Sequence, residues 1–297
     1  MKTIAMCPLV SRDMQRSMRA VRSCMLQRPT QNYAFVTHPI VNSRNEEFIA
    51  DFTAWCHTAG VDFDVTPSNG TPSRGKNEVL RYFRRSGHDG VVMLDGDDLM
   101  YPVAAQQIDR HVSQHAGTDL LIVKPSDTVV SHDEAGRGRL PDGRHAILWG
   151  TNTCKMGYQY GPGRHRMFDD GHPAARNIGG HVYYSRKLAD LISYDEEQLL
   201  GEDLLFEFEA FRLQVEGRIS FWLSFASDVQ LLDRTIENSG VQHENNTTTG
   251  DACYERLMSK VSGLVDPERS SFEELPVDFP PLLMTYQEKM RFIAESF

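Results

Sequence analysis

The chain has 297 residues, 40% of them hydrophobic and 24% charged, enough apolar material for one large core or two modest ones and too much for a disordered polymer. Its 31 basic and 41 acidic residues leave a formal charge of −10, which excludes a broad basic face for polyanions but leaves local basic patches open. No run approaches the roughly 18 apolar residues of a membrane-spanning helix.

The five cysteines, Cys7, Cys24, Cys56, Cys154 and Cys253, are odd in number and lack CxxC spacing. Neither a disulfide framework nor a zinc knuckle is expected, and a reducing, cytoplasmic setting is. Pro8 and then Ser11-Arg12-Asp13 interrupt the apolar start before a signal-peptide core forms, so the sequons at Asn245 and Asn246 read as chance matches.

In chain order, Thr3 to Cys7 reads as a strand, and Met14, Met18, Val21 and Met25 mark the face of a helix. A second strand spans Tyr33 to Thr37. Asn45 to Ala59 repeats the helical spacing through Phe48, Phe52, Trp55 and Ala59, with Gly60 as the closing glycine. Val61 to Thr66 is a third strand. Ser73 is expected to cap a helix from Gly75 to Ser86, and Val91 to Leu94 is a fully apolar fourth strand. This alternation predicts an α/β fold, a mostly parallel sheet flanked by helices.

Beyond Pro102 come a helix from Val103 to Gln114 and an apolar strand from Leu120 to Val123. Asp133 to Arg144 and Thr151 to Pro173, rich in glycine and basic residues, read as long functional loops. Gly180 to Tyr184 is a strand, Ser185 to Ile192 a helix, and a further helix follows Glu202 with Leu204, Leu205, Phe208 and Phe211 inward. Pro267, Pro276, Pro280 and Pro281 mark the tail from Asp251 as a peripheral extension.

Three features carry chemistry. Leu94-Asp95-Gly96-Asp97-Asp98 places carboxylates at the end of a buried strand, where open α/β sheets bind ligands. Such crowding calls for a cation, and oxygen ligands suit Mg²⁺ or Mn²⁺; an acidic turn closed by Asx hydrogen bonds is the structural alternative. Gly70-Thr71-Pro72-Ser73-Arg74-Gly75-Lys76-Asn77 nearly matches GxxxxGK[ST] but has Asn77 where a hydroxyl belongs, leaving Arg74 and Lys76 as an anion site or a solvated basic turn. Gly201-Glu202-Asp203 heads a helix, with Glu207 on the face of Asp203, and offers either a general base or ordinary first-turn acids.

In this order the features resemble GT-A fold glycosyltransferases, especially family 2, over roughly residues 3 to 243. Ser73-Arg74-Gly75-Lys76-Asn77 looks like the family's ARN helix start, Asp95-Gly96-Asp97 matches its DxD motif, and Asn177-Ile178-Gly179-Gly180 with Gly201-Glu202-Asp203 looks like its GG and ED block. The opening strand, which ends at Pro8, has Cys7-Pro8-Leu9-Val10 in place of Pro-x-Tyr-Asn, and Thr37-His38-Pro39 stands in place of Asp-Asp-Gly-Ser.

The resemblance implies an inverting transferase that moves a sugar from a nucleotide diphosphate, uridine by default, to an acceptor hydroxyl. Asp97, with Asp95 and His243, would hold Mn²⁺ or Mg²⁺. Asp203, beside Glu202, would be the base. Pro8, Arg12, Arg74, Lys76, Asn77, Asp95, Gly96, Gly179 and Gly180 would line the donor. It also implies a GT-A domain over 1–245, split near residue 100 into nucleotide-binding and acceptor-side halves, and an extension over 246–297. Basic loops at Arg137, Arg139, Arg144, Arg164 and Arg166 suit an anionic acceptor, modified nucleic acid among the candidates. The alternatives are a nucleotidyltransferase, a P-loop-like NTPase with Lys76 and Asp95, and a non-catalytic binding module.

Overall fold

The computed structural model describes residues 1–123, 127–131, 146–148, 181–198, 202–235, 260 and 276–296. Its first part alternates strands β1 (Lys2–Val10), β2 (Tyr33–Thr37), β3 (Ile40–Ser43), β4 (Asp64–Pro67) and β5 (Gly90–Asp95) with helices α1 (Met14–Met25), α2 (Glu46–Ala59) and α3 (Pro72–Arg85). Next come β6 (Leu99–Met100), α4 (Ala104–Gln114), β7 (Leu120–Val123), β8 (Asp127–Ser131) and β9 (Ala146–Leu148). The remaining elements are β10 (His181–Ser185), α5 (Arg186–Leu191), α6 (Glu202–Val215), β11 (Phe221–Ser224), β12 (Gln230–Thr235), β13 (Val277–Asp278) and α7 (Tyr286–Ser296).

Nine strands form the main sheet in the order β13-β11-β7-β10-β5-β1-β3-β4, with β2 also on β1. All its pairings are parallel except those of β10, which runs antiparallel between β5 and β7. The apolar run Val91 to Leu94 lies at the centre and is almost fully buried, as a strand covered on both faces requires. Helices on each side close separate apolar clusters, one around Phe83, Tyr184 and Phe208 and another around Met6, Val92 and Ile108. A second sheet, β6-β12-β8-β9, begins directly after the acidic turn.

Several boundaries differ from the sequence reading. Strand β1 does not end at Pro8 but runs to Val10, with Pro8 buried opposite Leu94. Strand β3, missed in the sequence, continues the line of β2 along the same edge of β1 after a break at His38-Pro39. The third strand begins at Asp64 because Val61 is used to close α2: Gly60 is left-handed at φ 68°, and the Val61 N–H donates to the Cys56 carbonyl at 3.0 Å. Residues 276–296 are not peripheral. Val277 and Asp278 extend the main sheet beside β11, and Lys289 of α7 buries its ammonium against Asp127 at 2.7 Å. Alternation of side chains cannot flag a two-residue strand, and the prolines on either side hid it.

Among the described residues, Cys7, Cys24 and Cys56 are buried free thiols, and no helix is long and apolar enough to cross a membrane.

Candidate active site

The acidic turn stands at the carboxyl end of β5, the central strand. Asp95 closes the strand, and the Asp98 N–H donates back to the Asp95 carbonyl at 3.0 Å. Gly96 is required here by close approach: a Cβ on it would fall against the Leu9 carbonyl oxygen and within 2.9 Å of the Val10 Cα. The DxD spacing therefore has a glycine at its centre because β1 passes directly beside it.

The three aspartates differ in their surroundings. Asp98 is fully buried and accepts hydrogen bonds from Gln230 Nε2 at 3.0 Å and the Asp233 N–H at 3.1 Å, so it ties the turn to β12. Asp95 and Asp97 are half-buried. Arg16 of α1 approaches Asp97 only to 3.9 Å, standing nearer Asp233 at 3.5 Å and Asp13 at 3.7 Å. Arg16 and Asp233 went unrecognised in the sequence, because one polar residue on a helix and one carboxylate in a strand carry no motif.

The aspartates bring three carboxylate oxygens within 4.8 Å of one another. An all-oxygen set of this kind fits a hard divalent ion such as Mg²⁺ or Mn²⁺. Asp95 and Asp97 would hold it, since Asp98 already uses both oxygens as acceptors.

The basic loop has a different job from the one expected. Thr71, not Ser73, caps α3: its Oγ1 accepts the Arg74 N–H at 3.2 Å, and Pro72 takes the first helical position, where its missing N–H is harmless. Ser73 is buried inside the helix and donates to the Gln198 carbonyl at 3.3 Å. Gly75 lets the helix press on β1, since a Cβ there would meet the Leu9 side chain at 2.8 Å. Asn77 forms a reciprocal pair with the Tyr194 backbone, donating and accepting at 2.8 Å, and donates again to Glu196. Arg74 is paired with Glu78 at 2.8 Å and with Glu196 at 3.0 Å.

Lys76 carries the link to the second motif. Its buried Nζ lies 3.0 Å from Glu202 Oε1 and 2.5 Å from Asp203 Oδ1, over the Tyr194 ring. Burial opposes its charge, but Asp203, Glu202 and Asp95 outweigh that and hold its pKa well above the ordinary ammonium value. Glu202 is shifted upward, chiefly by burial, with Lys76 pulling the other way and Asp203 pushing further up.

The anion site expected at Arg74 and Lys76 is thus a brace: both cations are engaged by carboxylates, and Asn77 is bonded to backbone. A P-loop lysine would have to face a phosphate, so this geometry does not support the NTPase reading. Glu207, one turn beyond Asp203, is buried. Arg12 is exposed in the loop after β1. Gly179, Gly180, His243 and the basic loops lie outside the described residues.

No family model and no curated protein matches the chain. Among solved structures it is similar to residues 1–349 of S. aureus TarS in complex with UDP, at 14% identity and TM-score 0.50, covering 89% of this chain and 65% of that one. It is also similar, at TM-score 0.46 and 11% identity, to the mannosyltransferase PcManGT from Pyrobaculum calidifontis in complex with GDP-Man and Mn²⁺, covering 78% of this chain and 56% of that one. The chain spans less than two thirds of either solved chain. At these identities the likeness is one of fold: the mixed sheet, its antiparallel insertion and its flanking helices are those of the GT-A fold.

Proposed function

We propose that this protein is a nucleotide-sugar-dependent glycosyltransferase of the GT-A type, working with inversion. Asp97 and Asp95 would hold Mn²⁺ or Mg²⁺, with His243 as a further ligand; bound there, the ion neutralises charge on the departing diphosphate. Asp203 acts as general base. The acceptor oxygen bonds to the anomeric carbon as the bond from that carbon to the diphosphate oxygen breaks. The hydroxyl proton passes to the Asp203 carboxylate, and the nucleoside diphosphate leaves. Glu202 and Lys76 keep Asp203 in place. Pro8, Arg12, Gly96, Gly179 and Gly180 are proposed to line the donor, and the basic loops to receive an anionic acceptor.

The observation that carries the reading is Lys76, which touches Glu202 and Asp203 and also lies within the field of Asp95. The DxD turn and the proposed base therefore belong to one end of one sheet, where open α/β folds bind ligands. A uridine nucleotide is the first donor to try, supported by the UDP complex of the similar TarS structure.

The test is a set of nucleotide sugars, assayed for nucleoside diphosphate release, with the Asp203→Asn variant beside the wild type. Turnover is expected to fall about 100- to 10,000-fold in the variant while donor binding stays within about twofold. Near wild-type turnover would remove Asp203 from the role of base. Stabilisation by nucleoside triphosphates alone would favour a nucleotidyltransferase.

A further inference from the structure

A second cluster of ligand-type side chains lies away from the acidic turn, where the C-terminal segment meets α4. His111 lies in the last turn of that helix and His115 is the residue that caps it, its N–H donating to the His111 carbonyl at 2.8 Å, and the two rings stand 4.7 Å apart. Asp278 reaches them from β13, and the three side chains bring one ligand atom each within 4.8 Å of the others. We propose that His111, His115 and Asp278 form a zinc site that fastens strand β13 to helix α4.

Donor chemistry selects the metal. Two imidazoles and one carboxylate suit Zn²⁺, whereas the all-oxygen aspartate turn suits Mg²⁺ or Mn²⁺. His111 Nδ1 stands 2.9 Å from Asp278 Oδ2, a few tenths short of the about 3.3 Å that separates two ligands on a tetrahedral zinc, so little movement admits the ion.

The ligands are held by rigid elements. His115 stacks on Trp222 with ring centroids 3.9 Å apart, and His111 meets the same indole edge-on at 5.5 Å. The Asp278 backbone is fixed by its pairing with Ser224 and by the Phe225 N–H, which donates to its carbonyl at 2.8 Å. Thr118 Oγ1 lies 3.4 Å from His111 Nε2. One group competes: the Arg110 guanidinium, 3.5 Å from Asp278 Oδ2, has to withdraw as the cation enters.

The site bears on more than its own strand. The segment that begins with β13 continues into α7, whose Phe292 packs on Tyr101, the residue that follows β6. A metal at Asp278 would tie down the element that buttresses the second sheet behind the acidic turn. The inference does not depend on the transferase reading, and its failure would leave that reading untouched.

The full chain, stripped with a chelator, is titrated with Zn²⁺ alone by calorimetry, alongside His115→Ala and Asp97→Asn. His115 is only partly buried, so its truncation leaves a folded protein, checked by an unchanged metal-free melting temperature. The proposal expects one Zn²⁺ in the wild type and in Asp97→Asn, with affinity reduced about 100-fold or more in His115→Ala. It also expects Zn²⁺ to slow protease cleavage of the 276–296 segment in the wild type and not in His115→Ala. Equal Zn²⁺ affinity in wild type and His115→Ala, or no Zn²⁺ binding in the wild type, would overturn the site and leave an imidazole–carboxylate hydrogen bond.

Discussion

Two groups of carboxylates meet at the rim of the main sheet, and they are neutralised in different ways. Glu202 and Asp203 share an internal cation, the buried Lys76 ammonium. At the acidic turn Arg16 stands 3.9 Å from Asp97, and oxygens of Asp95, Asp97 and Asp98 crowd within 4.8 Å of one another. The first arrangement fixes a side chain in position whether or not a ligand is bound. The second leaves negative charge half-exposed on a short turn, a state that a divalent ion relieves. Pairing to a buried ammonium suits a base that needs aiming, and clustered carboxylate oxygens suit a group that must take up and release a metal–diphosphate.

Removing the internal cation should give the largest effect on the fold. Lys76→Met takes the buried ammonium away from two adjacent, partly buried carboxylates, and urea denaturation should show a loss of about 2–4 kcal/mol. Adding Glu202→Gln and Asp203→Asn should restore much of it, since no unpaired charge then remains. A loss that persists in the triple variant would mean that packing, not charge, is what Lys76 supplies.

On the other side of the comparison, Gly96→Ala should lower stability by about 1–3 kcal/mol, because the new methyl meets backbone of Leu9 and Val10 that cannot swing aside. Weaker Mn²⁺ binding should accompany the loss. An unchanged melting temperature would show that the turn tolerates displacement from β1.

The smallest effect concerns pH. Burial pushes the Glu196 carboxyl up, but hydrogen bonds from Asn77, Arg74 and Arg81 prevail and hold it below its ordinary value of 4.5. A depressed carboxyl contributes stability that is present above that value and lost as pH falls through the folded one. Glu196→Gln should therefore flatten the acid side of the stability profile below about pH 4.5 and change little at pH 7. A parallel profile in the variant would detach the brace from acid sensitivity.

The parallel half was legible because its strands are apolar throughout and its helices carry a 3.6-residue stripe. Strand β2 and the spans of α1 and β7 follow the sequence pattern closely. The acidic turn was legible as a motif, and its position followed from the apolar strand before it. The work of Arg74, Lys76 and Asn77 was not, because their partners Tyr194, Glu196, Glu202 and Asp203 lie more than a hundred residues away in sequence, and a basic loop looks the same whether it awaits a phosphate or a carboxylate. For the same reason His111 and His115 stood out only when β13 brought Asp278 beside them.

The central claim is that a cation on Asp97 and Asp95 brings the donor to a site completed by Asp203. Thermal stabilisation by UDP with Mn²⁺, measured on wild type, Asp97→Asn and Asp203→Asn, tests it most directly. The account predicts a Mn²⁺-dependent rise in melting temperature in the wild type and in Asp203→Asn, and none in Asp97→Asn. A rise in Asp97→Asn equal to that of the wild type would contradict it.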